Sequence, residues 1–487
     1  MDQILYWNDV ALEANRVSHT NGRGEQTGPP VSARALGIVH LSMYDAFAGV
    51  SGNPPELPFY LPDLPDPEEG ASADAAVAAA AHATLSSLFP SQRPFFDQRL
   101  VQAGLEGPGL SEGEAFGRLV ARRILEDRED DPDASADGYT PSLARGRHRV
   151  DPDNPEQGFH APFYGARSKL FSATERFELP EPPQPGTPVY DEALREVRGK
   201  GIASELLATV PKDTRRTVDE ELTGLYWAYD GTLGLGSPPR LYNQIVREVA
   251  MNTPNPSTNM PNTVAQNARL FALVNTALAD AGILAWDQKY IHEFWRPVVG
   301  IREHDVSLGP LGVPGNDIDD DTRISWLPLG SPNTNATPPA KNFTPNFPAF
   351  PSGHSVFGAA AFHITRLFYG VTETFASDAL FEGLSFVSDE LNGFNRDNRG
   401  TVRPRHERNF PRGLWQMIEE NGMSRIHLGV HWSFDNTTLA LAGIDPDEGL
   451  LGFTVPDDEL IENTLGLRIA ENIFATGMMK SMVGPRD

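Results

Sequence analysis

Apolar residues recur along this chain at helical spacing, and no stretch alternates convincingly with the period of two that a half-buried strand requires. ILYWNDVALEANRV from Ile4 and SARALGIVHLSMYDAF from Ser32 each gather their apolar side chains on one helix face, with TGPP (Thr27 to Pro30) punctuating between them. The expectation is an all-α fold with little strand, built as two packed helical bundles of the four-helix type with long loops. Residues 1–215 are expected to form an N-terminal bundle with wrapping loops. Residues 216–487 are expected to form a C-terminal bundle, the two making one continuous unit.

Proline and glycine punctuation sets the expected elements. An alanine-rich helix over 71–89 is stopped by Pro90, and Ser111 with Glu114 has capping-box spacing ahead of a helix over 115–126. The acidic run from Asp127 reads as a solvated loop, and 139–187, rich in Pro, Gly and charge, as a wrapping over the N-terminal helices. Helical patterning resumes near Tyr190 and continues over 217–229, 240–251, 268–281 and 285–295, the last closed by Pro297. After a loop over 305–351, which includes the solvated run DIDDD from Asp317, helices are expected over 353–368, 414–426 and 435–442.

With 487 residues, of which 39% are hydrophobic, the chain can bury a large core. A formal charge of -26 repels phosphate backbones and makes nucleic acid an improbable partner. No window approaches 18 consecutive apolar residues, so no transmembrane segment is expected. MDQILYWNDV lacks the basic start and apolar core of a secretory signal. The absence of cysteine excludes disulfides, thiolate metal sites, iron–sulfur clusters and thiol catalysis.

Three segments carry chemistry. In KYIHEFWRP, Lys289 and Arg296 stand seven apart, which on a continuous helix places both on one face. Trp286, Phe294 and Trp295 around them are too apolar for a free surface, so the cations are expected to face an enclosed anion. In FPAFPSGHS, Ser352 caps a helix whose first turn contains Gly353 and His354, an arrangement suited to anion binding. In SRIHLGVHWSFD, Arg425 offers bidentate contact to an oxyanion, and His431 an imidazole whose other nitrogen a nearby acid can orient.

Together these segments resemble the vanadium haloperoxidase and type 2 acid phosphatase superfamily. The match falls at Lys289, Arg296, Pro297, Pro351, Ser352, Gly353, His354, Ser424, Arg425, Gly429, His431 and Asp435, in order and at family spacing. ILYWNDVALEANRVSHT, TGPPVSARALGIVHLSMYDAF, YWAYDGTLGLGSPPRLYNQIVRE, ARLFALVNTALADAGILAW and DELNGFNRDNR resemble the vanadium chloroperoxidases within it.

That resemblance implies vanadate as cofactor, with neither haem nor flavin, and hydrogen peroxide, halide ions and small organic acceptors as partners. His431 is implied as the single protein ligand of the metal. Lys289, Arg296, Arg425, the Ser352 hydroxyl and the Gly353 amide are implied to surround the oxyanion. His354 is implied as the acid–base group, and Lys289 as the cation that polarises peroxide. Asp230 is implied to pair with Arg425 and Asp435 to support His431. Trp286 and Phe347 occupy positions where chloroperoxidases carry Trp and Phe, which implies oxidation of chloride as well as bromide and iodide to hypohalous acid. Secretion or a periplasmic location is compatible with the same likeness. The rival within the superfamily is an acid phosphatase with His431 as nucleophile and His354 protonating the leaving group.

Overall fold

The computed structural model describes residues 1–304, 326–372, 378–436 and 464–486. Helix starts follow local chemistry wherever a cap is available. Asp2 accepts from the amides of Ile4 and Leu5 to open α1 (Gln3–Ser18), and α2 (Pro29–Val50) begins with prolines, whose missing N–H groups cost little in a first turn. Ser72 caps α3 (Ala73–Leu88), which leads into an unexpected α4 (Arg93–Gln102).

The helix α5 (Leu110–Asp127) opens behind Gly109 with no side-chain cap, so Ser111 and Glu114 lie within it and do not form the expected capping box. Tertiary pairing decides that start: the amide of Ser72 donates to Gly109 O at 2.8 Å. The short α6 (Tyr164–Arg167), α7 (Pro188–Lys200), α8 (Val218–Tyr226) and α9 (Pro238–Asn252) follow, α8 with a complete capping box between Thr217 and Glu220.

The helices expected over 268–281 and 285–295 are one, α10 (Val264–His292), opened by a capping box between Thr263 and Gln266. Gly282 does not break it, because α2 and Phe357 close on that position: a Cβ there would lie 3.2 Å from Pro30 and 3.3 Å from Phe357. α11 (Pro297–His304), α12 (Gly353–Phe368) and α13 (Gly413–His427) come next, then α14 (Leu465–Ala475), also unexpected. Of the helix expected over 435–442, a 3-10 turn, Ser433–Asp435, is seen; 437–442 and DIDDD lie outside the described residues.

The fold is all-α. Apart from isolated bridges, the only strands among the described residues are β1 (Leu384–Phe386) and β2 (Arg408–Phe410), one antiparallel pair. α10 is the spine: α2 packs on it from the N-terminal part and α12 from the C-terminal part, while α13 and α14 pack on α12. One buried cluster includes Trp7, Leu36, Phe271, Trp286, Phe357 and Ile469. Residues 139–187 dock on α10 as well as on α2, for Asp280 accepts from the amides of Phe171, Ser172 and Ala173 at 2.6, 2.8 and 2.7 Å. Among the described residues α10 alone is long and apolar enough to cross a membrane, and 94% of that window is buried inside the protein.

Candidate active site

The three segments converge at the C-terminal end of α10. Trp286 and Lys289 lie on its last turns, and Glu293, with a left-handed backbone (φ 46°), ends the helix. Beyond it the chain pairs with a distant segment: the amide of His148 donates to Glu293 O at 2.7 Å and that of Trp295 to Gly146 O at 2.9 Å. Arg296 therefore stands in a link ahead of α11, not on a helix face shared with Lys289 as its spacing suggests. Periodicity could not reveal this, because the pairing partner comes from residues 146–148. The two cations still enter one space over Phe347: Lys289 Nζ lies 5.2 Å and the Arg296 guanidinium 5.0 Å from its ring centroid.

The loop leading into α12 is bound from both sides. Lys289 Nζ donates to the carbonyls of Pro348, Ala349 and Pro351 at 2.7, 3.1 and 2.5 Å, which commits all three of its hydrogens. The amide of Ser352 donates to Asp435 O at 2.8 Å, fixing the start of α12 to the turn that carries His431. The Ser352 hydroxyl accepts from the Ser355 amide at 3.5 Å. A Cβ at Gly353 would come no closer than 3.4 Å to Trp286 and 3.8 Å to Lys289, so no protein atom demands glycine there. Glycine instead leaves an open approach to the first amides of the helix.

Arg425 lies in the last turn of α13, and a glycine reverses the chain behind it. Gly429 has φ 73°, and a Cβ on it would meet Gly201 O at 2.3 Å, so only glycine fits. The reversal presents His431, whose Nδ1 lies 2.8 Å from Asp435 Oδ2; that oxygen also accepts from the Trp432 amide at 2.9 Å. With the proton held on Nδ1 by the carboxylate, the lone pair of a neutral His431 is on Nε2, which faces Arg296 Nη1 at 2.8 Å.

Both arginines are 1% exposed, yet they are incompletely bonded. Arg296 donates from Nε to Phe347 O at 2.9 Å and from Nη1 to Val430 O at 2.8 Å, leaving Nη2 with no partner among the described residues. Arg425 Nη2 donates to Asp230 Oδ1 and Oδ2 at 3.0 and 3.1 Å and to Ser331 Oγ at 3.2 Å, leaving Nε and Nη1 with none among the described residues. His354 Nε2 lies 2.7 Å from Ala228 O and 3.9 Å from Asp230 Oδ1. A carbonyl only accepts, so that nitrogen carries the proton of the neutral ring and Nδ1 the lone pair.

The electrostatics follow from buried cations with too few counter-charges. Burial first, and then Arg296, push Lys289 and His431 well below their ordinary values. Burial and then Arg425 push His354 down to about 3, and burial brings Arg296 to about 9. Burial raises Asp435 to about 7 against the Trp432 amide, Lys289 and Arg296. A buried oxyanion would reverse the depression of the cations and use the idle guanidinium hydrogens. These idle donors, with the open amides of α12, fit a tetrahedral oxyanion such as vanadate or phosphate.

Sequence patterns gave no sign of several neighbours. Ser331 and the Ala228 carbonyl complete the partners of Arg425 and His354. His148 is 1% exposed, with both ring nitrogens unpartnered and its ring 5.6 Å from Phe159. Burial, then the charges of Arg296 and Lys289, push its pKa well below normal. Ser331 and Ala228 join the site through contacts far apart in the chain.

The match with known proteins runs along most of the chain. Residues 1–170 fit a family described as the vanadium chloroperoxidase N-terminal domain, and residues 269–443 one described as the VCPO second helical-bundle domain. The chain is 38% identical to the vanadium chloroperoxidase of Curvularia inaequalis over 503 residues, covering 89% of this chain and 78% of that one. The chain belongs to the vanadium chloroperoxidase family. Members of the wider vanadium haloperoxidase group share its fold. A bacterial vanadium-dependent iodoperoxidase superposes with TM-score 0.61 at 17% identity, covering 99% of this chain and 98% of that one. The holo form of a bacterial vanadium-dependent chloroperoxidase gives 0.60 at 15% identity, covering 93% of each chain. All three motif segments fall within the second of these family matches.

Proposed function

We propose that this protein is a vanadate-dependent haloperoxidase that oxidises chloride, bromide and iodide with hydrogen peroxide to hypohalous acid, which then halogenates small organic acceptors. The observation that carries the reading is the set of three unpartnered guanidinium nitrogens, on Arg296 and Arg425, buried beside an oriented histidine. In a dry interior such donors cost free energy unless an anion takes them.

His431 would hold the metal through Nε2 in place of its contact with Arg296 Nη1, its ring fixed by Asp435. Arg296 Nη2, Arg425 Nε and Nη1, the Ser352 hydroxyl and the Gly353 amide would hold the oxygens, with Asp230 anchoring Arg425. Bound vanadate would supply the Lewis acid that activates peroxide toward halide. His354 would accept and return a proton at Nδ1, while Ala228 O keeps Nε2 protonated. Lys289 clamps the loop before Ser352 through three carbonyls and would add positive field beside the oxyanion and polarise bound peroxide. Trp286 and Phe347, with ring centroids 4.7 Å apart, form an apolar wall that limits hydration beside the cations and favours chloride oxidation.

Vanadium content and halide-dependent peroxide consumption measured on one sample test the cofactor and the reaction together. The expected result is one vanadium per chain and peroxide consumption that requires halide, chloride included. Efficient hydrolysis of an activated phosphate ester that vanadate inhibits, with no halide turnover by the vanadate-loaded protein, would instead make the protein a phosphatase using His431 as nucleophile.

A further inference from the structure

Residues 478–486 form a strap across residues 166–173 and α10. Lys480 Nζ donates to Asp127 Oδ1 at 2.5 Å, the Ser481 amide to Phe171 O at 2.8 Å and the Ser481 hydroxyl to Ala173 O at 2.6 Å. Val483 O accepts from the Leu170 amide at 3.1 Å, and the Arg486 amide donates to Ala166 O at 2.8 Å. Arg486 Nε then reaches both oxygens of the buried Asp287, at 2.8 and 2.7 Å. Asp287 follows Trp286 on α10 and precedes Lys289 by two residues, so the strap ends on the turn that carries part of the site.

Methionines alternate with these anchors and point the other way. Met479 is 62% exposed and Met482 94%, the most of any methionine in the chain, whereas Met43, Met417 and Met478 are buried. Met1, Met251 and Met260 are exposed too, but each stands alone. The strap is held by Lys480, Ser481, Val483 and Arg486, so an oxygen added to either outward sulfur removes no hydrogen bond that anchors it. With no cysteine in the chain, these thioethers are its most accessible soft nucleophiles.

We propose that Met479 and Met482 are modification sites, oxidised to methionine sulfoxide by the hypohalous acid that the protein itself releases, and reducible in the folded protein by a methionine sulfoxide reductase. This rests on the haloperoxidase reading. The thioether sulfur attacks the halogen of hypohalous acid and displaces hydroxide. Water then adds to the halosulfonium sulfur, and halide leaves with the loss of two protons. Thioether and hypohalous acid thus become sulfoxide, halide and one proton, two electrons having passed from sulfur to halogen. A sulfoxide at Met43 or Met417 would place a polar group in the core. At Met479 and Met482 it stands in water, and Arg486 keeps its hold on Asp287.

The test is peptide mass mapping of the vanadate-loaded protein after turnover with peroxide and halide and no organic acceptor, beside controls with peroxide alone and with excess 1,3-diketone as acceptor. Met482 is expected to be oxidised no later than any other methionine and Met479 with it, while Met43, Met417 and Met478 stay reduced. Either control should show at least about fivefold less sulfoxide at both positions. Hypohalous acid added to the metal-free protein should reproduce the map, and a methionine sulfoxide reductase should reverse it without unfolding. Initial halide turnover should stay within about twofold once both sulfurs are oxidised, because no anchor of the strap is lost. Oxidation that begins at buried methionines, that needs no halide, that the reductase cannot reverse, or that abolishes turnover in step with Met479 and Met482 would overturn the proposal and leave the haloperoxidase reading intact. Absence of halide oxidation by the vanadate-loaded protein would overturn that reading itself.

Discussion

Arg128 in the N-terminal part and Arg425 in the pocket are equally buried, each 1% exposed, but their hydrogen bonding differs. Arg128 donates from Nε to Asp131, from Nη1 to Leu170 O and from Nη2 to Lys169 O, and its guanidinium stacks 3.7 Å from the Phe171 centroid. Arg425 bonds only through Nη2 and keeps two nitrogens idle. Burial alone does not distinguish a structural cation from one poised for a ligand. The completeness of its hydrogen bonding does, because an idle buried donor carries a desolvation cost that folding by itself does not offset.

The largest expected effect separates holding charge from moving protons. His354→Ala should lower turnover by roughly 10²- to 10⁴-fold, measured as halide-dependent peroxide consumption, while oxyanion affinity of the metal-free protein stays within about twofold. Unchanged turnover would remove His354 from proton transfer.

A direct comparison of the two arginines comes next. Arg425→Met should weaken vanadate binding at least about 100-fold, because two charged hydrogen bonds are lost. Arg128→Met should leave that affinity unchanged and cost roughly 1–3 kcal/mol of stability in chemical denaturation, because the Leu170 and Lys169 carbonyls lose their donor while Asp131 keeps Arg34. The reverse pattern would break the comparison.

The charge imbalance predicts a pH dependence. Sulfate keeps its charge across the neutral range, so any change in its affinity reports the protein. Burial and Arg296 depress His431 in the anion-free pocket, where its Nε2 bears a lone pair, and a bound dianion raises it again. Protonation therefore accompanies binding. Affinity is full below the anion-free value and is lost as pH rises through the higher bound-state value, by up to about tenfold per unit for the proton taken up. Calorimetry in buffers of different ionisation enthalpy should show proton uptake, and pH-independent affinity with no uptake would contradict the account. The smallest effect belongs to Gly353→Ala, which protein atoms tolerate: oxyanion affinity should fall a few-fold, with thermal stability equal or slightly higher.

Most helices were legible because their signals span one or two turns: Ser352 caps α12, Thr217 opens α8, and the stripe in α1 needs only its own residues. α4 was not legible, since it buries only Phe96 and has no stripe to read. The start of α5 and the end of α10 were misplaced because distant backbone pairing with Ser72 and with His148 decides them.

The sequence by itself determined the helical class and named the pocket residues, since the motif order and spacing are properties of the chain. Tertiary structure decided how those residues divide their work. It placed Arg296 off the helix face and committed the Lys289 hydrogens to Pro348, Ala349 and Pro351. It also left Arg296 Nη2 and two nitrogens of Arg425 idle. Whether a buried donor is satisfied depends on atoms that the chain delivers from 51 to 195 residues away, and no local pattern records that.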